Sequence, residues 1–412
     1  MKGTYGLTQI YTGDVSGVCS ALYELGGMIV IHDPSGCNST YNTHDEVRWY
    51  DKPSHIFISG FTERDAIFGN DKKLIDDVVE AAMTLMPRFI VLINSPVPFL
   101  VGTDFRALAG LIEKQTRIPS FYVDTNATHD YICGEQGAFS ALIGKFFPVE
   151  NKAVPVSARQ KADNGPVRVN VLGMSPLDFA APTSEISVRA WLSDEGFQLV
   201  SCFAMGDSLD QLLRAPAADV DLIVSAAGLT LARDLRERYG IPYVAGVPVA
   251  AFAAPLADAL RQAAADGENR FPANALRGGE AGCLSLLAGE AVVMTSIAAA
   301  LSLEGNADDR RYRVICPLEN SDELLATELG DRCIETEDGL QAAFADTNDL
   351  WADPFYAPIA REGATLHRLP VLAYSGRVFL HEMPDLFRLS PRTLPAMTIS
   401  HGQPFREPEM EK

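Results

Sequence analysis

The sequence predicts an α/β protein made of three tandem Rossmann-like domains with parallel sheets. Three observations carry this. Short apolar runs rich in β-branched residues alternate with longer helical patterns along almost the whole chain, the rhythm of βαβ units. A polar, proline-containing, aperiodic stretch at 148–166 interrupts that rhythm and reads as a linker. The chain is also too long, at 412 residues, for one ordinary core, and its 47% hydrophobic content is enough for several.

In the first 150 residues, strands are expected over 28–32, 55–59, 89–94 and 120–123. Helices are expected over 19–25, 71–85, 105–116 and 134–146. The second series gives strands over 167–172, 198–203, 221–225 and 242–244, with helices over 183–195, 208–215 and 230–239. The third begins near Gly278, with strands over 284–288, 313–316 and 371–374 and a strong helix over 293–303. The expected division is therefore 1–150, 166–275 and 276–390, followed by a tail, 391–412.

A formal net charge of −20 argues against nucleic-acid or anionic-membrane partners. The longest apolar run, 244–257, is too short for a membrane helix and holds two prolines. Seven cysteines without a paired framework, and an amino terminus without a signal-peptide core, lead to the expectation of a reducing cytoplasm.

Residues 17–50 are the stretch around which the chain is organised. Cys19 opens a short helix that stops at Gly26-Gly27. The apolar run 28–32 then reads as a buried strand, and Cys37 follows the turn Asp33-Pro34-Ser35-Gly36. A cysteine after a strand and a glycine turn sits at the carboxyl edge of a sheet, where open α/β sheets bind ligands. The separation, 37 − 19 = 18, is unlike zinc-ribbon pairs. On spacing alone, two inert core thiols are a more natural reading than a shared metal site.

Several stretches together resemble component 1 of nitrogenase and its relatives, the family that includes light-independent protochlorophyllide reductase. They are Cys19 and the corner His32-Asp33-Pro34-Ser35-Gly36-Cys37, then Thr62-Glu63-Arg64-Asp65 with Phe68-Gly69-Asn70-Asp71-Lys72-Lys73-Leu74. Ser95-Pro96 with Gly102-Thr103-Asp104, Asp207-Ser208-Leu209-Asp210, Gly240-Ile241-Pro242, and Gly289-Glu290 leading into Ser296-Ile297-Ala298 complete the set. Two departures matter. Ser95 stands where the family has a third cluster cysteine. Ser225 stands where the cofactor-bearing nitrogenase subunit has its cofactor cysteine.

The resemblance implies the catalytic component of a two-component oxidoreductase, not a true nitrogenase. It implies an iron–sulfur cluster, of [4Fe–4S] type, held by Cys19 and Cys37 and shared between two subunits, so that two chains supply four thiolates. The partners implied are a second copy or a paralogous subunit, and a separate ATP-dependent iron–sulfur reductase. The implied substrate is a small molecule or a tetrapyrrole. Ser95 is a cluster ligand or a wall of its pocket. His129, after the fourth strand, and His44 are the candidate proton donors, with Asp45 and Arg48 as further polar candidates. Thr62 and Asp65 read equally as a helix cap or as part of a docking loop. Gly289-Glu290 suits either an anion at a helix start or close packing. A non-catalytic scaffold for metal-cluster assembly is the alternative function. A three-domain binder that keeps only the fold is a third.

Overall fold

The computed structural model describes residues 7, 9–34, 36, 38, 41, 45–147, 165–277, 283–305 and 310–400. Cys37, His44 and the 148–164 part of the expected linker lie outside the described residues.

Three sheets follow one another along the chain. The first consists of β1 (Met28–Ile31), β2 (His55–Ile58), β3 (Ile90–Ile93) and β4 (Ser120–Val123), in the order β2-β1-β3-β4, every pair parallel. β1 and β3 are buried at every position, as central strands of a sheet covered on both faces must be. The helices are α1 (Asp14–Leu22), α2 (Glu63–Phe68), α3 (Asp71–Leu85), α4 (Pro96–Val101), α5 (Phe105–Thr116) and α6 (Tyr131–Phe146). Leu74, Ile75, Val78 and Ala82 give α3 its buried stripe; Phe105, Leu108, Ala109 and Ile112 do the same for α5.

The second sheet has β5 (Arg168–Met174), β6 (Gln198–Ala204), β7 (Val220–Ile223) and β8 (Tyr243–Ala245), in the order β6-β5-β7-β8, again parallel. Its helices are α7 (Ser184–Asp194), α8 (Leu209–Leu212), α9 (Ala227–Tyr239), α10 (Ala253–Asp266) and α11 (Pro272–Leu276).

The third sheet has β9 (Cys283–Ala288), β10 (Arg310–Cys316), β11 (Arg332–Cys333), β12 (Asp349–Ala352), β13 (Thr365–Arg368) and β14 (Ala396–Thr398), in the order β11-β10-β9-β12-β13-β14. Only β14 runs antiparallel, on the edge. Helices α12 (Ala291–Glu304), α13 (Glu337–Phe344) and α14 (Leu372–Ser375) complete it. The expected strand over 371–374 is thus a helix. Four consecutive apolar residues are compatible with either state, and periodicity cannot choose between them.

Helix α12 is buried from Ala291 to Leu301, apolar on all sides, and acts as an internal pillar. It ties two sheets together: the Ser296 hydroxyl accepts from the Val247 amide at 2.9 Å, and the Glu290 carboxylate accepts from the Ala226 amide at 2.7 Å. Helices α1 and α6 cross with their backbones in contact. A Cβ on Gly17 would lie 2.2 Å from the Tyr131 carbonyl oxygen, and one on Gly134 would lie 2.0 Å from the Asp14 carbonyl oxygen, so only glycine fits at either place. No helix among the described residues is long and apolar enough to cross a membrane.

Candidate functional site

The carboxyl ends of strands from all three sheets converge on one cavity of about 680 Å³. The loop after β4 supplies Ala127–Asp130 by way of residues 127–130, the loop after β10 supplies Pro317 and Glu319, and Leu177 follows β5. This is where doubly wound sheets present their ligand sites. The segment before α1 threads between the units. Its Thr12 amide donates to the Ala373 carbonyl at 3.1 Å, and the Gln9 carbonyl accepts from the Tyr356 hydroxyl at 3.0 Å. Among the described residues, six carboxylates line the cavity, from Asp14, Asp45, Glu46, Asp130, Glu319 and Glu335, against one arginine, Arg377. An anionic ligand would meet like charge there.

Its walls are held by buried acids. The Asp14 carboxylate, at the start of α1, accepts from the Val15, Asn126 and Ala127 amides at 2.7–2.9 Å. That grip holds Ala127 at φ 59, a left-handed conformation that an alanine rarely adopts. Asp130 caps α6, accepting from the Ile132 and Cys133 amides at 2.9 and 3.3 Å, and its other oxygen accepts from the Glu319 amide at 2.7 Å. Burial pushes the Asp130 carboxyl up to about 6, against those hydrogen bonds.

His129 stands at the rim, half exposed, as the sequence placed it, in the loop after β4. Its Nδ1 lies 2.9 Å from Glu319 Oε2, and this hydrogen bond raises the imidazole above its ordinary value. Cys133 joins the same oxygen: its thiol donates to Glu319 Oε2 at 2.8 Å, and the Asn320 amide nitrogen donates to its sulfur at 3.2 Å. Neither Cys133 nor Glu319 was singled out from sequence. The signal was the i, i+4 spacing of His129 and Cys133 across a helix start; Glu319 is 190 residues from His129 and had none.

The surroundings of Cys19 are different. The helix begins at Asp14, so Cys19 sits in its interior and not at its start, where free amides would favour a thiolate. It is fully buried in the apolar core and is not part of the lining of the inter-sheet cavity. Burial first, and then the Glu46 carboxylate, push its thiol far above the usual range. In the metal-free chain Cys19 is a packed core thiol.

Glu46 itself is held by Arg48, whose Nε donates to it at 2.7 Å. Arg48 also pairs with Glu24 at 3.1 Å and lies over the Tyr23 ring. Arg48 is therefore a buried structural cation. Ser95 is fully buried, and its hydroxyl donates to the His32 carbonyl at 2.8 Å, clamping together the loops after β1 and β3. His32 shares its Nδ1 with the Ser59 hydroxyl at 2.7 Å, and burial lowers it to about 4. Ser225 is buried too and outside the cavity lining; its Oγ accepts from the Ala227 amide at 3.3 Å. Thr62 and Asp65 form a reciprocal capping box at α2. The Glu290 carboxylate fills the start of α12, accepting from Val293 at 2.8 Å, so no anion is needed there. Cys202 and Cys316 are core residues on β6 and β10.

The family model described as nitrogenase component 1 type oxidoreductase matches residues 17–258. The chain belongs to that family. Among curated relatives, it is 28% identical over 192 residues to the nitrogenase molybdenum-iron protein alpha chain of Nostoc sp., a match covering 46% of this chain and 38% of that one. It is 24% identical over 227 residues to the nitrogenase iron-molybdenum cofactor biosynthesis protein NifE of Clostridium pasteurianum, covering 52% and 45%. The matches thus span less than half the length of either relative. A solved nitrogenase, Nitrogenase Cp1 at pH 5, superposes with a TM-score of 0.53 at 16% identity, over 83% of this chain and 72% of that one. That likeness bears out the three-unit α/β fold.

Proposed function

We propose that this chain is the substrate-binding, catalytic component of a two-component nitrogenase-type reductase, with the inter-sheet cavity as its site. The observation that carries the reading is the convergence of three sheets on one polar cavity in a member of this family. The size falls within the few hundred to about 1,000 Å³ typical of small-molecule sites. The six lining carboxylates favour a neutral or cationic substrate over an anionic one. His129 is the residue placed to give or take a proton there. Single electrons come from a separate ATP-dependent iron–sulfur reductase.

An iron–sulfur cluster in this proposal draws on the Cys37 corner and not on Cys19. A second subunit, a copy or a paralogue, covers the surface formed by α2 and α4. Ile67, Phe68 and Leu100 are exposed there at 67%, 79% and 81%, an apolar surface that argues for a partner. We place the domain limits within the stretches 148–166 and 276–283.

The test mixes the anaerobically purified protein with a nitrogenase-type reductase, ATP and reductant, and follows oxidation of the reductase cluster by absorbance. Oxidation that depends on this chain, and slows with His129→Ala once a substrate is present, supports catalysis. The absence of any chain-dependent oxidation overturns it. The second reading, an assembly scaffold, is favoured by the comparable match to NifE. It is separated by transfer of iron and sulfide from this chain to an acceptor without turnover.

A further inference from the structure

We propose that His129, Cys133 and Glu319 form a binding site for a divalent ion of the zinc class, distinct from any iron–sulfur site; with the ion bound, His129 is a ligand and not the proton donor of the proposed function. One ligand atom from each residue lies within 4.8 Å of the other two, so small side-chain shifts bring them to the edges of about 3.3–3.8 Å that a tetrahedral ion imposes. Imidazole, thiolate and carboxylate are the three ligand types such ions take, and together they select a borderline transition ion over magnesium or calcium.

The cluster is also built as ligand sets are built. Asp130 fixes two of the three from behind, accepting from the Cys133 amide with one oxygen and from the Glu319 amide with the other. Asn320 donates to the sulfur. Such outer partners orient ligands and support their affinity. A single carboxylate oxygen now takes hydrogen bonds from both the Cys133 thiol and the His129 ring, which places the negative charge where a cation would sit. With a thiolate and a carboxylate, a divalent ion would leave the set neutral. His129 and Glu319 line the cavity, so three protein ligands leave a coordination position on the cavity side, the arrangement of a zinc ion that meets a substrate. The ligands come from two units, His129 and Cys133 from the first and Glu319 from the third, so the ion would also link them.

The test is a Co²⁺ titration of the full-length protein after chelation under anaerobic conditions. It should bind one ion per chain and develop a thiolate-to-metal charge-transfer absorption that Zn²⁺ displaces. Cys133→Ser should remove that absorption while Cys37→Ala and Cys333→Ser leave it. His129→Ala and Glu319→Gln should weaken binding at least tenfold, and Asp130→Asn by about 10- to 100-fold. Saturable absorption that survives Cys133→Ser overturns the assignment. So does binding unaltered in all three ligand variants, or no saturable binding by folded protein. Variants that lower the melting temperature while no form binds Co²⁺ would likewise overturn it, leaving only a hydrogen-bonded link between units.

Discussion

Cys19 and Cys133 sit on two helices, α1 and α6, that pack against each other, and burial raises both thiols, yet their surroundings diverge. Cys19 lies in the interior of its helix, sealed in the core beside the Glu46–Arg48 pair. Cys133 lies in the first turn of its helix, over the Asp130 cap, with His129 and Glu319 at its sulfur. Distance along a helix from its free end, and a second element arriving from another sheet, separate a packing thiol from a chemical one. Residue type does not.

The largest effect that tests this contrast is on stability. Arg48→Ala should cost about 3–5 kcal/mol, because it leaves Glu46 buried and unpaired; Glu319→Ala, part-exposed, should cost under about 1 kcal/mol. Urea unfolding of both variants measures this, and equal losses would erase the distinction. Next, Gly134→Ala should cost about 3 kcal/mol, since the added Cβ would press on the Asp14 carbonyl. Gly144→Ala on the same helix, where a Cβ meets nothing within 4 Å, should cost nothing or stabilise slightly.

Two carboxyls, Glu46 fully buried and Asp130 part-buried, differ in sign. Burial pushes Glu46 up, and the Arg48 guanidinium more than cancels that, leaving it below its ordinary value. Its contribution to stability is present above the unfolded value, near 4.5, and is lost as pH falls through the lower folded value. Asp130, raised from 3.8 to about 6, contributes below 3.8 and loses that contribution as pH rises through about 6. Asp130→Asn should therefore flatten a decline on the order of 2 kcal/mol between those pH values, and Glu46→Gln should flatten only the acid limb. Denaturant midpoints at pH 4, 5.5 and 7 discriminate the two. The smallest effect concerns Cys19→Ala. Folding stability should fall by about 1 kcal/mol, and iron content after anaerobic purification should not change. Loss of all iron in that variant would reinstate Cys19 as a ligand.

Most of the first two units was legible because their strands are apolar runs and their helices carry a clear buried stripe. The helices Asp71–Leu85 and Phe105–Thr116 coincide with the expected ranges. The third unit was less so. β12, Asp-Leu-Trp-Ala, and β13, Thr-Leu-His-Arg, carry polar residues that pair across the sheet, His367 with Asp349 at 2.8 Å, and no single-strand pattern reveals such pairs. Helix α10 begins inside the apolar run 244–257, whose prolines hide it from the pattern; its Pro255 falls in the first turn, where proline is tolerated. Of the candidate site, His129 was readable from its place after a strand. Ser95 and Arg48 were legible as polar residues but not as a clamp and a buried cation, because those roles depend on partners 63 and 24 residues away.

The glycine crossing of α1 and α6 has a mechanical consequence. Backbone touches backbone at Gly17 and Gly134, while Gly13 bridges Asp130 and the Asp14 amide donates to the His129 carbonyl. Side chains can reorient to absorb a shear, but two main chains in contact cannot. The first unit's share of the cavity wall is thus one rigid jaw, carrying Asp14, His129, Asp130 and Cys133 together. Any change in the width of the cleft falls to the other side, where the Glu319–Asn320 loop meets this jaw through polar contacts alone: the Glu319 amide on Asp130, its carboxylate on His129 and Cys133, and Asn320 on the Cys133 sulfur.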